Sequence, residues 1–590
     1  MSIFVTLLTY VLGAQGPVYE LEPIVVTASR VPQSLPYVAR SVEVLGRDEI
    51  AHAPAHSVPD LLDYVPGVDV RRRGPWGVQA DVSIRGGTFE QTLVLIDGVK
   101  VFDPQTGHHN MDLPLIPCDV ERIEVLKGPG SRLYGPNAFG GAINIITRRD
   151  GHTALKAAAG QYGLCEGVIA LSGSRGNLGL HFSLSGRRSA GYMDNTDFRI
   201  YTASVRSILR TVAGEMSLFG GYTDKEFGAD GFYSQRFPNQ WEHTRTVFLS
   251  LRASLVRYGL LWEPKLYWRC HRDEFVLDRD RPGWYRNRHT SASYSFELQS
   301  TAALPWGAFA FGGELGEETI ASSNLGDHSR TRGGMFLELQ AAHRRLSLTL
   351  GAYGYYYSDW GWRLWPGADI GFRFCEGGQM YGSLGRSFRV PTYTELYYSS
   401  PANRGNQNLM PEEAWTYEVG LRYGKPALGG GVALFRREGR NLIDWVREGS
   451  EDPWQAQNVA QMRTSGLEVD LRFAPVVGRL PQVEMGYAFL SSDKRTEGWE
   501  SKYVLDYLMH QFSVGVAHPL ISGWRGDWKL RYERRVGGEG HFILDLKVSG
   551  RPKGLEVFLE CTNILNTSYT ETGGVPMPGR WITGGLGFVF

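Results

Sequence analysis

Two adjacent histidines, His108 and His109, are the residues whose type best suits metal or ligand binding. They lie in the polar stretch 102–111, and imidazole is the commonest metal ligand in proteins. Adjacent side chains on a strand point to opposite faces, and a single pair of histidines is a weak metal signal. We therefore expect hydrogen-bonding contacts or a loop role rather than a metal site, and we expect no resident cofactor.

The basic run Arg71-Arg72-Arg73, followed by Trp76, is a second group with its own chemistry. An anionic ligand would form charge-assisted hydrogen bonds with such a turn. The alternative is a basic turn that is simply exposed to solvent, and the sequence supports both interpretations equally.

Motifs of enzymes are missing from the chain. It has no His-Glu-x-x-His, no Gly-x-Ser-x-Gly and no metal-spaced set of Cys and His. The glycine-rich region 128–141 lacks Gly-Lys-Ser/Thr and runs into β-rich residues, which argues against a phosphate loop. The five cysteines are far apart, so neither a zinc ribbon nor a disulfide framework is indicated. We expect that the protein is not an enzyme.

Composition narrows the class of protein further. The chain has 590 residues with 62 basic and 62 acidic side chains, and this balance argues against nucleic-acid binding or a polybasic membrane patch. Aromatic residues make up 12% of the chain, whereas disordered chains contain few of them. No apolar run long enough for a transmembrane helix follows the extreme N-terminus, but a membrane barrel stays possible.

The N-terminal residues combine an export signal with an extended segment. Residues 3–12 are apolar and Ala14-Gln15-Gly16 resembles a cleavage site, so residues 1–16 are expected to be a signal peptide. Pro23 and the β-branched residues after it favour an extended strand over residues 22–30. Such a strand can add to the sheet edge of a partner, although an ordinary internal strand is the alternative.

A compact α/β unit is expected next. Ser57 can cap a helix with Asp60 three residues later, and Pro66-Gly67 ends it. Asp97-Gly98 is a strong hairpin turn. Short strands are predicted at residues 68–70, 82–85, 92–96, 121–125 and 142–147.

The order of these motifs resembles the TonB-dependent outer-membrane receptors, and within them most closely the cobalamin receptors. The matching motifs are PIVVTASR, SVPDLLDYVPGVDV, SIRGG, TLVLIDGVKV and ERIEVLKGPGSRLYGPNAFGGAINIIT. The resemblance implies a TonB box at residues 23–29, a plug domain at 31–148, and TonB of the inner-membrane energy-coupling complex as partner. The box residues offered to TonB would be Pro23, Ile24, Val25, Val26, Thr27 and Ala28.

Residues 151–590 should then form a 22-stranded antiparallel transmembrane β-barrel around the plug. These 440 residues allow about 20 for each strand with its connection. Leu467, Val469 and Leu471 alternate with charged residues, as a wall between lipid and a wet lumen requires. The last strand ends on the aromatic Phe590 and so resembles the C-terminal signal that the barrel-assembly machinery recognises. This resemblance implies that the protein lies in the lipid bilayer of the cell outer membrane.

The same resemblance implies that a large ligand meets the plug apex and the external loops. Residues 102–111 would be an apical loop, and the aromatic, polar segment 227–242 would be a loop above it. For the aromatic residues of that segment, an interfacial aromatic girdle is the alternative. The candidate ligand contacts are Arg72, Trp76, Gln105, His108, His109, Asn110, Phe232, Tyr233 and Trp241.

The plug must also be held in the barrel. Arg85 lies in a segment that we expect to be buried, and a buried cation needs a carboxylate partner. We hypothesise that it pairs with a barrel residue facing the lumen such as Glu418.

For the substrate, the resemblance favours cobalamin or another corrinoid. A ferric siderophore, haem or another metal chelate is the alternative, and a passive porin or adhesin on the same fold is the rival of another class. Asp-rich loops that would indicate a Ca²⁺ site are not evident. A surface lipoprotein partner is conceivable.

Overall fold

The computed structural model describes residues 24–25, 28–449, 451–459, 461–475, 480–494, 499–504, 506–521, 523–572 and 574–589. The expected signal peptide lies outside this range. So do Pro23, Val26 and Thr27 of the expected TonB box, and the terminal Phe590.

A small α/β domain forms the N-terminal part of the described chain. Its main sheet has five strands in the order β3-β8-β9-β6-β7, with β6 and β9 parallel, and β4 and β5 form a separate hairpin. Its strands are β1 (Ile24–Val25), β2 (Gln33–Ser34), β3 (Val42–Leu45), β4 (Val68–Gly74), β5 (Gln79–Ile84), β6 (Thr92–Ile96), β7 (Val99–Lys100), β8 (Val120–Lys127) and β9 (Gly141–Thr147). Its helices are α1 (Arg47–His52), α2 (Val58–Leu62) and α3 (Ser131–Tyr134), with 3₁₀ turns at Leu35–Tyr37, Phe89–Gln91, Gly107–His109 and Pro117–Asp119.

Local signals explain these elements. Ser57 and Asp60 form the capping box at the start of α2. Asp97 and Gly98 both have positive φ and join β6 to β7, as the hairpin prediction required. The five predicted strands are present, with one difference: Arg85 lies just beyond the end of β5, and its φ of 54° turns the chain.

The remaining strands close into a 22-stranded antiparallel barrel, because β10 pairs with β35. This confirms the predicted fold class. The barrel strands are β10 (Ala154–Gly160), β11 (Leu164–Arg175), β12 (Leu178–Ser189), β13 (Phe198–Thr211), β14 (Gly214–Gly228), β15 (Trp241–Arg257), β16 (Leu260–Val276), β17 (Arg286–Leu304), β18 (Gly307–Ser322), β19 (Gly326–His343), β20 (Leu346–Tyr357), β21 (Gly361–Cys375), β22 (Gly378–Arg389), β24 (Glu412–Lys425), β25 (Leu428–Arg440), β28 (Met462–Phe473), β29 (Gln482–Lys494), β31 (Leu508–Pro519), β32 (Trp524–Arg535), β33 (His541–Gly550), β34 (Leu555–Thr562) and β35 (Trp581–Val589).

Barrel strands alternate between an apolar, exposed outer face and an inner face that carries most of the buried charged groups. On β24, Tyr417 and Val419 are exposed on the outside while Glu418 between them is buried. On β28, Leu471 is exposed and Glu468 is buried. The outer face suits lipid, and the inner face presents charged groups to the plug. All five cysteines are unpaired. Among the described residues, no helix combines the length and apolar character needed to cross a membrane.

Connections differ at the two ends of the barrel. Most turns at one end are two residues long, as between β15 and β16, whereas most connections at the other end are longer. In an outer-membrane barrel the short turns face the periplasm and the long loops face outward. The outer loops contain α4 (Tyr393–Tyr397) and a four-stranded sheet of β23 (Asn403–Arg404), β26 (Leu442–Arg447), β27 (Trp454–Val459) and β30 (Glu500–Ser501). At the opposite end, a 3₁₀ turn at Pro552–Gly554 connects β33 to β34.

Candidate functional site

The apical loop of the plug, residues 102–111, is stabilised by its own polar side chains. The Asp103 backbone N–H donates to Asn110 Oδ1 at 3.0 Å, and the Gln105 N–H donates to Asp103 Oδ1 at 2.9 Å. Gln105 and Asn110 are both about 4% exposed. The structure therefore buries these two predicted ligand contacts in the loop, whose shape the Asn110 side chain and the Gln105 backbone N–H help to fix.

The outer end of the barrel holds this loop in place. Arg269 of β16 binds the Asp103 carboxylate and also donates to the His109 carbonyl at 2.8 Å. Backbone N–H groups of Tyr393 and Thr394, at the start of α4, donate to the Pro104 and Gln105 carbonyls. A ligand that moved α4 would therefore act directly on the apical loop.

His108 belongs to a cluster of rings at the plug apex, which we call the apical aromatic cluster: Phe89, His108, Tyr233 and Tyr503. The imidazole stacks on Phe89 at 4.3 Å, and both tyrosine rings lie 6.4 Å from it. Burial lowers the pKa of His108 and outweighs the opposing charge of Asp81. His108 Nδ1 lies 2.8 Å from Asp81 Oδ1 and 3.3 Å from Arg73 Nη1. The tautomer with its proton on Nδ1 donates to Asp81 and leaves Nε2 as an acceptor.

Tyr233 brings a loop residue onto the plug. Its hydroxyl accepts from Gln79 Nε2 at 3.1 Å and donates to Glu242 Oε2 at 2.8 Å. Its side chain is 43% exposed, and it is thus positioned to contact both the plug and a ligand.

His109 faces the barrel wall and not the apex. Its Nδ1 lies 3.2 Å from Asp112 Oδ2, and its ring is 4.1 Å from that of His271 on β16. Burial lowers the pKa of His109, but the hydrogen bond to Asp112 and the charges of Asp273 and Asp112 more than offset this and raise it to about 9. The two adjacent histidines thus have different environments.

The basic run is neither solvated nor open to a ligand. Arg71, Arg72 and Arg73 are all less than 10% exposed. Each has a carboxylate partner: Arg71 with Asp69 at 3.0 Å, Arg72 with Asp63 at 2.6 Å and Glu571 at 2.7 Å, and Arg73 with Asp81 at 2.8 Å. The alternative of a basic turn exposed to solvent is therefore wrong, and Arg72 ties the plug to the last outer loop.

Three aromatic candidates lie away from the apex. Trp76 is buried and stacks on His56 at 3.6 Å, and Phe232 packs in the same wall-side cluster. Trp241 starts β15 on its outer face, because the next residue, Glu242, is the one that points inward and is buried. For Trp241 the girdle interpretation fits this geometry, and a contact with a ligand in the lumen does not.

Arg85 of the plug is 1% exposed and lies between two barrel carboxylates. Its Nη1 is 2.5 Å from Glu418 Oε2, while Nε and Nη2 are each 2.9 Å from an oxygen of Glu468. Phe435 covers the guanidinium at 4.2 Å. The structure brings the hypothesised pair together and adds Glu468, which sequence reasoning missed as a partner.

The Arg85 site is one of many ion pairs between plug and wall. In the sequence, these ion pairs are indicated only by charged residues at the alternating strand positions that face the lumen. The other pairs include Arg30–Glu297, Asp63–Arg531, Asp69–Arg535, Lys100–Glu314, Asp103–Arg269, Asp112–Lys225 and Arg132–Asp369. Such an interface can separate into water at less cost than an apolar one, which suits a plug that has to move.

The described part of the expected TonB box begins in a strand. Ile24 and Val25 pair antiparallel with Ser34 and Gln33. Ala28 is buried, and Arg30, two residues later, is fixed to the barrel wall.

Comparison with known proteins agrees with this architecture. The family model of the TonB-dependent receptor plug domain matches residues 36–142, and that of the TonB-dependent receptor-like β-barrel matches residues 171–564. Vitamin B12 transporter BtuB of Vibrio vulnificus is 26% identical over 491 residues, covering 77% of this chain and 76% of that protein. Vitamin B12 transporter BtuB of Photobacterium profundum is 25% identical over 528 residues, 84% of each chain.

Solved structures share the fold at lower identity. The siderophore receptor PirA from Acinetobacter baumannii has a TM-score of 0.76 at 13% identity, covering 93% of this chain and 98% of that one. The FrpB iron transporter from Neisseria meningitidis has a TM-score of 0.76 at 14% identity, covering 93% and 99%. With its plug, its closed 22-stranded barrel and family models that match most of its length, the chain belongs to the TonB-dependent receptor family of outer-membrane transporters.

Proposed function

We propose that this TonB-dependent transporter imports cobalamin or another corrinoid. Two similar proteins named as vitamin B12 transporters align over most of both chains. The structural observation that supports the proposal is that the arginines of the basic run, Arg71, Arg72 and Arg73, are already paired with carboxylates.

An anionic ferric chelate would need cations free to bind it, since charge-assisted hydrogen bonds dominate such recognition. Releasing Arg72 or Arg73 for this purpose would leave their buried carboxylates unpaired, which is costly. A corrinoid is a broad, flat ring with peripheral amides, so it needs aromatic area and neutral hydrogen-bonding groups. The apical aromatic cluster supplies both.

Coupling to TonB follows from membership of the family. We propose that residues 24–28 are the strand that TonB takes up by β-augmentation. Ile24 and Val25 already pair with Ser34 and Gln33, so the partner would replace an existing antiparallel edge. Pulling on this strand would exert force first on the contacts of Arg30 with the barrel wall and then on the rest of the plug. The energy for this step would come from the inner-membrane complex.

Equilibrium binding to the detergent-purified protein tests the substrate. Cyanocobalamin, a ferric siderophore and haem are titrated separately, with tryptophan fluorescence as readout. We expect cyanocobalamin to bind, and Tyr233→Ala and Tyr503→Ala each to weaken binding by about 10-fold, which is about 1.4 kcal/mol. Tyr258→Ala, in a turn at the opposite end of the barrel, is the matched control and should bind as the wild type does. Binding of the siderophore or haem without cyanocobalamin would refute the corrinoid assignment.

A second experiment tests the strand. Val25→Pro removes a backbone donor and should abolish uptake while leaving ligand binding intact. Val25→Thr keeps the strand and should transport normally. Uptake that survives both Val25→Pro and deletion of residues 23–29 would mean that this segment does not couple the protein to energy.

A further inference from the structure

Three buried side chains with metal-ligating atoms converge where the plug meets the outer end of the barrel. They are His109 of the apical loop and His271 and Asp273 of β16, all less than 10% exposed. Their ligand atoms lie within 4.8 Å of one another. His271 and Asp273 are two residues apart on one strand, so both point into the lumen.

The atoms of this cluster that could bind a metal ion lie close to one another. His271 Nε2 and Asp273 Oδ1 are buried and have no hydrogen-bond partner within the part of the chain that the structure describes. His109 Nε2 lies 3.8 Å from the same oxygen, Asp273 Oδ1. Buried polar atoms are nearly always paired in proteins, so unpaired atoms this close together favour a shared partner.

The other nitrogen of each imidazole is already held. His109 Nδ1 is 3.2 Å from Asp112 Oδ2, and His271 Nδ1 is 2.7 Å from Thr246 Oγ1. Histidines that ligate metals are typically oriented in this way, by a carboxylate or another oxygen on the far nitrogen. These contacts on the Nδ1 atoms therefore leave both Nε2 atoms available to a metal ion.

The local charge suits a divalent cation. The carboxylates nearest the cluster are Asp103, Asp112, Asp273 and Glu242, and the nearby cations are Arg269 and Lys225. Once both imidazoles are neutral, as metal binding requires, these groups carry two negative charges in excess. Arg269 and Lys225 are bound to Asp103 and Asp112, so Asp273 and Glu242 have no Arg or Lys partner among the described residues. A further imidazole, His289, has its Nε2 3.9 Å from Asp273 Oδ2.

We propose that His109, His271 and Asp273 form a site for one divalent transition-metal ion, with Zn²⁺ as the best match. Two imidazoles and one carboxylate are ligands that Zn²⁺ favours, and a fourth position stays open for water or another ligand. Zinc bonds of about 2.0–2.2 Å require the three ligand atoms to approach one another by small ring rotations. Because one ligand is on the plug and two are on the wall, the ion would clamp the plug to the barrel.

The clamp is independent of the corrinoid proposal, and its test uses Zn²⁺ alone. The full-length protein in detergent is freed of metal with a chelator and titrated with Zn²⁺ by calorimetry. We expect one ion per chain at micromolar affinity or better, and binding at least about 100-fold weaker in His271→Ala and in the nearly isosteric Asp273→Asn. His243→Ala, which removes a histidine from the outer face of the neighbouring strand β15, is the control and should leave the affinity unchanged.

Two further measurements separate the clamp from a surface site. Co²⁺ bound in place of Zn²⁺ should give the visible absorption of a four-coordinate ion in the wild type but not in His271→Ala. Zn²⁺ should slow amide hydrogen exchange in residues 107–112 of the wild type and have no such effect in Asp273→Asn. No binding to the wild type, or equal binding in the ligand variants, would overturn the proposal and leave imidazolium charge as the partner of Asp273.

Discussion

Arg85 of the plug and Glu468 of strand β28 form a two-bond ion pair, with Nε and Nη2 each 2.9 Å from a different carboxylate oxygen. Glu418 of β24 accepts from the remaining Nη1. The planar guanidinium has enough N–H donors in fixed directions to bind carboxylates on both strands at once. A lysine ammonium is a compact charge and could not form the same two-bond pair. One plug residue thus connects two separate strands of the wall.

Arg85→Ala should destabilise the seated plug, since it removes the guanidinium that two buried carboxylates share, although Glu468 keeps Lys127 at 3.6 Å. The expected cost is about 3–5 kcal/mol, and Arg85→Lys should restore only part of it. Amide hydrogen exchange of plug residues 68–96 measures the change. The control is Arg447→Ala, which removes a more exposed pair with Glu500 in the outer loops and should cost less than about 1 kcal/mol. Unchanged plug exchange in Arg85→Ala would show that the pair does not anchor the plug.

Gly67 should tolerate no side chain, because it lies directly beneath the same pair. It has φ of +77°, and a Cβ atom there would lie 2.2 Å from Glu468 Oε1. Gly67→Ala should therefore displace Glu468 and loosen the plug. Gly98→Ala is the matched control, since its φ is +74° but nothing lies within 4 Å of the added atom. It should cost only the backbone strain of about 1–2 kcal/mol, and an equal loss in both variants would rule out the steric effect.

Much of the fold could be predicted from local signals. The Ser57 cap, the Asp97-Gly98 turn and the alternation around Leu471 depend on neighbouring residues, and each is present in the structure. The barrel size followed from length and resemblance. These features need no knowledge of distant contacts.

The site could be predicted only in part, because it depends on how strands and plug align. Alternation places Glu468 inward, but only barrel register and plug orientation decide that it meets Arg85. Trp241 faces outward because of the strand's phase, and a shift of one residue would reverse it. The partner of Arg72, Glu571, lies 499 residues along the chain, beyond any local pattern.

Arg30 should restrain the segment that precedes it. Its Nη1 is 2.8 Å from Glu297, its backbone N–H donates to Glu338, and its guanidinium covers Phe336 at 3.6 Å. Arg30→Ala should release residues 24–28 and raise the affinity of the ligand-free receptor for the periplasmic domain of TonB by about 5- to 10-fold. Arg47→Ala, which removes an exposed pair with Glu121, is the control and should leave this affinity unchanged. If Arg30→Ala also leaves it unchanged, Arg30 does not restrain the box.

His56 connects α2 of the plug to the wall through a titratable pair. Its Nε2 is 2.7 Å from Glu560 Oε1, and Glu166 lies 3.8 Å from Nδ1. Arg187 donates to the His56 carbonyl, and Asp60 accepts from its N–H. Burial lowers the pKa of His56, but the charge of Glu560 and the hydrogen bonds to both glutamates outweigh it and raise the pKa to about 9.

Because the folded-state pKa lies above the usual value of about 6.5, this pair stabilises the seated plug fully below pH 6.5 and loses its contribution as the pH rises through 9. We expect the free energy of plug opening, measured by hydrogen exchange at residues 54–76, to fall by at most about 3 kcal/mol between pH 6.5 and 9.5. His56→Gln should start lower and change little over this range. His343→Gln, at an exposed strand end, should keep the wild-type slope. A wild-type slope that persists in His56→Gln would assign the pH dependence to another group.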